Sequence, residues 1–144
     1  MEKKEFKKLL SNILKQYGFY YTNKRYYLSN NELIIVIDTQ KSNFENSYYL
    51  NYGILIKEIN PDLEYPKEYL CDIRGRFIFK KDSKIVGGFN LEDGKEDELK
   101  QSISETVENL LLPVYEVGVS EYYKISSESL SMATLKTKKY LGIE

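Results

Sequence analysis

The sequence predicts an α+β fold: one helix, an antiparallel sheet of four or five strands, and then two helices. Three observations support this order. Apolar residues recur at helical spacing near the start, alternate with polar residues through the middle, and return to helical spacing in the last third. The predicted strands follow one another through short connections, and 144 residues fit one domain, spanning 1–144.

The first helix is predicted from apolar residues three and four positions apart. Gly18 follows the last of them and can adopt the left-handed conformation that closes a helix. The apolar residues are Phe6, Leu9, Leu10, Ile13, Leu14 and Tyr17.

Four strands are predicted at about 19–28, 33–40, 47–56 and 71–79, because aromatic and β-branched residues suit a half-buried pleated surface. A short hairpin over 80–86 is a fifth-strand candidate. Alternation assigns one face of the sheet to Tyr48, Leu50, Tyr52, Ile54, Ile56, Cys71, Ile73, Phe77 and Phe79. The opposite face receives Tyr49, Asn51, Asp72, Arg74, Arg76 and Ile78.

Several residues predict how the elements are joined. The segment between the third and fourth strands contains Pro61 and Pro66, which constrain the backbone of a loop, and Gly87-Gly88 indicates a turn. Asp93 and Glu96 resemble a capping box at the start of a helix whose apolar stripe runs from Leu99 to Leu111. Pro113 then predicts a stop or a kink, and the last helix is predicted over 127–141.

The composition excludes many kinds of active site. The chain has fourteen tyrosines and no histidine, which removes histidine-activated nucleophiles and the commonest metal ligand. One cysteine, Cys71, cannot support a structural zinc site, and no glycine-rich phosphate-binding motif is present. We therefore expect no cofactor and no metal.

The charge pattern and the hydropathy bear on partners and location. A net charge of −1 gives no overall field that would attract nucleic acid or an anionic membrane, so we expect neither as a partner. The longest aliphatic run covers only residues 33–37, and the first residues do not resemble a signal peptide. With a single cysteine, these observations predict a cytoplasmic location.

Two carboxylates, Asp38 and Asp72, are the candidates for acid–base chemistry without histidine. The sequence does not place them together. Asp72 stands two residues from Arg74 on the same predicted strand face, so an ion pair between them is the simpler interpretation.

Arg74 and Arg76 are the most informative polar pair. The chain has three arginines against eighteen lysines, and two of the three lie on one strand face with a glycine between them. Guanidinium groups donate in a planar, bidentate geometry that suits carboxylate or phosphate. The alternative is that they form cross-strand ion pairs and cover apolar surface with their stems.

The same face is predicted to carry polar groups from neighbouring strands, among them Asp38, Gln40, Tyr49 and Asn51. Apolar residues such as Ile34, Val36 and Leu55 share it. A mixed face of this kind is rarely left bare, so either a carboxyl-terminal helix covers it or it binds another molecule.

Several short motifs resemble the bacterial domain-of-unknown-function family 4304 in order and spacing, over roughly residues 2–118. They are Glu5-Phe6-Lys7-Lys8-Leu9-Leu10, Gly18-Phe19, Gln40-Lys41-Ser42, Asn51 before Gly53, Arg74-Gly75-Arg76-Phe77, Phe89-Asn90-Leu91 and Leu112-Pro113. The resemblance implies an α+β domain found in small stand-alone bacterial proteins, and it implies no activity. Five residues match recurrent polar positions of that family: Gln40, Ser42, Asn51, Arg74 and Arg76.

Three functions remain open from the sequence. The first is a protein-interaction module that uses Gln40, Ser42, Tyr49, Asn51, Arg74 and Arg76, for example an immunity protein that neutralises a toxin. The second is a small-ligand or nucleotide-binding domain, or an enzyme that uses Asp38 or Asp72 with the two arginines. In the third, every one of these residues serves only the fold.

Overall fold

A computed structural model of the protein describes residues 1–82, 84–92 and 94–143. Helix α1 (Lys3–Gln16) comes first. The strands follow as β1 (Tyr20–Thr22), β2 (Arg25–Ser29), β3 (Leu33–Lys41), β4 (Ser47–Ile56), β5 (Ile73–Arg76), β6 (Phe79–Lys81), β7 (Lys84–Val86) and β8 (Phe89–Asn90). The carboxyl-terminal helices are α2 (Glu96–Thr106), α3 (Leu112–Val117), α4 (Val119–Ile125) and α5 (Leu135–Tyr140).

The main sheet has the order β1-β2-β3-β4-β5, and β8 pairs with the first residues of β4. Every pairing is antiparallel, including the separate hairpin of β6 and β7. The α+β class, with a helix before an antiparallel sheet and helices after it, is therefore confirmed.

One face of the sheet packs against α1 and α2 to form the main core. The alternation predicted for β4 is confirmed, since its even-numbered residues, Tyr48 to Ile56, are buried in this core. Phe6 of α1 stacks on Tyr48 with 5.4 Å between ring centres, and it also contacts Phe89 of β8. Aromatic burial of this kind, at about 150–250 Å² per ring, is a large part of what holds the helices on the sheet.

A smaller apolar cluster lies on the opposite face and consists of Tyr27, Ile34, Val36, Leu55 and Cys71. The segment 57–72 crosses over it, and the hydroxyl of Tyr27 donates to the carbonyl of Pro66 at 3.1 Å. A loop, rather than a carboxyl-terminal helix, thus covers the apolar half of this face.

Cys71 corrects one prediction, because it was assigned to the core face with Ile73 and lies in the smaller cluster instead. The reason is that β5 begins only at Ile73, so strand alternation does not govern Cys71. Gly53 makes room for it: a β-carbon on Gly53 would lie 2.7 Å from the cysteine sulfur.

The predicted fourth strand, 71–79, is divided in the structure. Its first part is β5, whereas Phe79 begins β6, which pairs with β7 in the predicted hairpin. Asp82 has a φ of 48° in the connection between these two strands. Gly87 and Gly88 lie in a bend between β7 and β8, in agreement with the predicted turn.

Helix α2 begins at Glu96, and the backbone N–H of Lys95 donates to Oε1 of Glu98 at 3.3 Å. The predicted cap residue Asp93 lies outside the described residues.

Pro113 does not stop the helix: a wider π-helical turn, Val107–Leu111, precedes it, and α3 continues to Gly118, whose φ is 134°. Proline has no N–H to donate to the preceding turn, and a widened turn accommodates that loss.

The region after Gly118 is more segmented than the sequence predicts. Helix α4, which the sequence left unassigned, begins at Val119, whose N–H donates to the carboxylate of Glu32 at 3.0 Å. The predicted helix 127–141 consists of a 3-10 turn, Ser127–Met132, and then α5. Thr134 lies between them in extended conformation and caps α5 with its side chain. Within the described ranges, no helix has both the length and the apolar character needed to cross a bilayer.

Candidate functional site

The strand register brings most of the predicted site residues together on the face of the sheet opposite the main core. They lie beside the small apolar cluster that segment 57–72 covers. Gln40 of β3 lies opposite Tyr49 of β4, and Asn51 of β4 lies between Asp38 of β3 and Arg76 of β5. Cross-strand neighbours of this kind lie about 4.5–5.5 Å apart at their β-carbons, close enough for direct contact.

Ser42 is the predicted site residue that the structure places elsewhere. It is buried at the start of the β3–β4 connection, where its backbone N–H donates to the carbonyl of Ser47 at 2.9 Å. Its hydroxyl accepts from the N–H of Phe44 at 3.2 Å. These contacts organise the connection and give Ser42 a structural role.

Arg76 is held by a chain of side-chain contacts. Its Nε donates to Oδ1 of Asn51 at 3.0 Å, and Nδ2 of Asn51 donates to Oε1 of Gln40 at 3.0 Å. The guanidinium carbon of Arg76 lies 4.2 Å from the ring centre of Tyr49, which is a cation–π contact. The side chain is thus oriented, and among the described residues its terminal nitrogens donate no hydrogen bond.

Arg74 contacts the covering loop rather than another strand. Its Nη1 donates to the carbonyl of Tyr69 at 3.3 Å, and the side chain is exposed. In the described part of the chain, neither Arg74 nor Arg76 makes an ion pair with a carboxylate. The predicted ion pair between Arg74 and Asp72 is therefore wrong.

Asp72 has other partners because it precedes β5. Its Oδ2 accepts from the backbone N–H of Ile56 at 2.7 Å and from Nδ2 of Asn60 at 2.8 Å. The carboxylate thereby satisfies a buried strand end and fixes the beginning of the covering loop.

The second candidate carboxylate, Asp38, belongs to a cluster with Arg25 and Glu68. Arg25 bridges both acids, with Nη2 3.4 Å from Asp38 and Nε 3.1 Å from Glu68. Burial raises the pKa of Asp38 above its ordinary value and Glu68 adds to the rise, whereas Arg25 opposes it. The cluster joins the covering loop to the sheet.

These contacts leave an open cleft of about 530 Å³ along β5, which we call the arginine cleft. Tyr69, at the end of the covering loop, forms part of its wall and is 53% exposed. The lining residues are Gln40, Asn51, Tyr52, Glu68, Tyr69, Arg74, Gly75 and Arg76.

The sequence did not single out Glu68 and Tyr69, because they stand in a connection without periodicity, where the structure forms a short 3-10 turn, Glu68–Leu70. The tyrosines of that loop, Tyr65 and Tyr69, were the available signal. Tyr27 lies on the face of the sheet that carries the arginines, as strand alternation places it, and the covering loop buries it to 1% exposure.

The side chains that line the arginine cleft include hydrogen-bond donors and acceptors and two guanidinium groups. No group of three or more acidic, cysteine or histidine side chains among residues 1–82, 84–92 and 94–143 is placed to hold a metal ion. Burial raises the pKa of the Cys71 thiol to about 12, so it is protonated and unreactive near neutral pH.

Comparison with known proteins identifies the family to which this architecture belongs. The model of a domain of unknown function, DUF4304, matches residues 10–117, which is more than half of the chain. This range contains α1 from Leu10 onward, all strands of the sheet and the arginine cleft. No curated protein and no solved structure matches the chain. The chain therefore belongs to the DUF4304 family.

Proposed function

We propose that this chain is a protein-binding module whose arginine cleft recognises an acidic segment of a partner protein. The observation that carries the proposal is the pair of exposed guanidinium groups, Arg74 and Arg76, which make no ion pair within the described residues. A carboxylate that accepts from such a group forms a charge-assisted hydrogen bond, which is about twice as strong as a neutral one.

Preorganisation supports the proposal. Asn51 and Tyr49 already hold Arg76, and the Tyr69 carbonyl already orients Arg74. A side chain that is ordered before binding loses less rotamer entropy, a saving of about 0.5–1.5 kcal/mol for each such side chain. Arginine and tyrosine, with tryptophan, are also the residues enriched among the energetically dominant positions of protein interfaces.

The shape of the cleft favours a protein over a small molecule. Gln40, Arg74, Arg76 and Tyr69 line it and are all exposed, so the cleft lies on the surface. Pockets for small ligands are enclosed and typically bury about 70–90% of the ligand. A partner protein can cover an open cleft of this kind with its own surface.

Binding is also better supported here than catalysis. Asp38 is engaged by Arg25, and Asp72 accepts from Ile56 and Asn60, so both candidate carboxylates serve structural contacts. A toxin bound by an immunity protein is one partner class that would meet the cleft through its acidic residues.

We also propose a cytoplasmic location, for which the support is the single cysteine in the chain.

Affinity capture with matched variants tests this proposal. The immobilised wild-type chain and three variants, Arg74→Glu/Arg76→Glu, Tyr49→Ala and Lys8→Glu, are incubated with extract of the source cells. Lys8 is exposed on α1, on the other side of the sheet, and controls for charge reversal alone. Retained proteins are identified by mass spectrometry and titrated in purified form by calorimetry.

We expect a partner retained by the wild type and by Lys8→Glu but lost by the double arginine variant, with weaker retention by Tyr49→Ala. Reversal of two charges in the cleft should lower the affinity by about tenfold or more. A partner that binds the wild type and the double variant equally would show that this cleft is not the binding site.

A further inference from the structure

Strand β5 forms an edge of the main sheet, and its backbone groups are divided between two directions. The N–H of Phe77, which directly follows the strand, donates to the carbonyl of Leu50 in β4 at 2.8 Å. In an antiparallel pair, hydrogen-bonded residues alternate along each strand. Gly75 and Ile73 therefore direct their backbone groups to β4, whereas Arg74 and Arg76 direct theirs outward.

Within the described residues, the backbone N–H and C=O groups of Arg74 and Arg76 have no hydrogen-bond partner, since β5 pairs with β4 alone. The unpaired edge thus coincides with the two residues whose side chains carry the free positive charges. Unpaired edges are templates for an additional strand, and proteins usually cover or shorten them.

Open space lies on both sides of this edge. The arginine cleft lies on one side, and a second cleft of about 300 Å³, which we call the edge cleft, lies towards the carboxyl-terminal helices. Tyr52 and Arg76 line both clefts. The edge cleft also contains Ile78 and Ile125, which are 45% and 44% exposed.

We propose that the partner's acidic segment binds as an added antiparallel strand along β5, with acidic residues opposite Arg74 and Arg76 and an apolar residue between them. This inference rests on the proposed function and specifies how the partner is held. In strand addition, main-chain hydrogen bonds supply affinity and alternate side chains supply specificity. Opposite charges directly across two strands add to the stability of the pairing.

The surroundings of Gly75 explain why the middle residue of the bound segment should be apolar. The ring of Tyr52 occupies the space that a side chain on Gly75 would need, so β5 presents no side chain of its own there. The central residue of an added strand would project on this same side, beside Tyr52 and the apolar residues of the edge cleft. An acidic–apolar–acidic pattern therefore fits this edge.

A second copy of this chain is a poor occupant of the edge. Antiparallel pairing of two β5 strands about Gly75 would place Arg74 of each copy opposite Arg76 of the other. Like charges directly across two strands destabilise the pairing. The same arginines that attract an acidic segment thus oppose self-association.

Synthetic peptides test the inference with the full chain. The parent probe is a capped peptide of alternating glutamate and valine, and a second peptide has the same composition with the glutamates grouped at one end. Two further peptides carry backbone N-methyl groups, either on all glutamates or on all valines. Binding to the wild type, Lys8→Glu and Arg74→Glu/Arg76→Glu is measured by fluorescence anisotropy.

In an antiparallel added strand, glutamates opposite the arginines donate their N–H groups to β5, whereas the valine N–H groups point away from it. We expect the glutamate-methylated peptide to bind at least about tenfold more weakly than the parent, and the valine-methylated peptide to bind within about threefold of it. The grouped peptide should also bind more weakly, and the double arginine variant should lose all four peptides.

Two outcomes would overturn strand addition. One is equal binding of both methylated peptides, and the other is no binding of the parent peptide to the wild type at millimolar concentration. If the captured partner still requires Arg74 and Arg76 in either case, the proposed function stands and only the mode of binding is wrong.

Discussion

Arg76 donates from Nε to Oδ1 of Asn51 at 3.0 Å. The side-chain amide of Asn51, in β4, therefore orients the guanidinium of Arg76 on the edge strand β5. The other end of the same amide donates to Gln40. One asparagine in the middle of the sheet thereby connects three strands.

Replacing this amide by a carboxylate should weaken binding without unfolding the protein. In Asn51→Asp, the new charge would pair with Arg76 and compete with an acidic partner, and we expect the affinity for the glutamate–valine peptide to fall about threefold to tenfold. Asn12→Asp adds the same charge to an exposed position of α1 and should leave the affinity unchanged. Anisotropy titrations with thermal melts check both; equal affinities in the two variants would contradict the assigned role of Asn51.

Gly75→Ala should destabilise the fold. An added methyl group would meet the ring and hydroxyl of Tyr52, and overpacking of this kind typically costs about 1–3 kcal/mol. Gly87→Ala is a matched control, because a β-carbon there meets nothing within 4 Å. Urea unfolding of both variants measures the difference, and a Gly75 variant as stable as the Gly87 variant would show that Tyr52 moves aside freely.

Tyr52 and Tyr122 should be energetically coupled. Their hydroxyls lie 2.8 Å apart in a buried site, and the rings meet edge to face at 6.3 Å between centres. Tyr52→Phe or Tyr122→Phe alone leaves one buried hydroxyl without its partner, at a cost of about 1–3 kcal/mol, whereas the double variant leaves none. A double-mutant cycle of unfolding free energies should therefore give a double variant less destabilised than the sum of the singles. Additive values would show that the two hydroxyls do not interact.

The protein should lose stability in alkaline solution, in part through Cys71. Burial raises the pKa of this thiol from 9.0 to about 12 in the folded chain. Below the lower pKa both states keep the proton, whereas between the two values the unfolded state releases it first, so the unfolding free energy falls as pH rises.

Cys71→Ala isolates this effect from the tyrosines. The wild type should be the more stable protein at about pH 8, and its advantage over the variant should narrow towards about pH 11, because only the wild type carries the thiol. Urea unfolding at both pH values measures the gap. A gap that stayed constant would mean that the thiol titrates alike in the folded and unfolded states.

The strands were predictable where a residue's direction depends on local alternation alone. Along β4, the burial of Tyr48, Leu50 and Tyr52 followed the pattern of the sequence. Prediction failed at Cys71 and Asp72, because both precede β5 and their directions depend on the loop that they terminate. The last predicted helix, 127–141, failed for a related reason: its segments are held by distant groups, such as Glu32, whose Oε2 accepts from the hydroxyl of Tyr140 in α5.

The sequence predicts which of the long-strand residues share a face, but not the surface that they form. Gln40, Asn51 and Arg76 share a face by alternation, and their register across three strands then brings them into contact. The place of Tyr69 in the cleft could not be predicted, because the residues of a nonperiodic connection do not determine where it crosses the sheet. The burial of Tyr27 also depended on where this connection crosses the sheet, because the segment that contains Pro66 covers its ring.

By itself, the sequence determines the fold class, the faces of the long strands and the absence of histidine chemistry, because periodicity and composition are properties of the chain alone. Only the tertiary structure decides which part of the sheet face that carries Arg74 and Arg76 is open to solvent. It also decides which strand lies at the edge of the sheet. The physical reason is that covering and pairing depend on segments far apart in the chain. Segment 57–72 covers the apolar half, and β5 pairs with β4 alone in the sheet, with its two arginines at the unpaired edge.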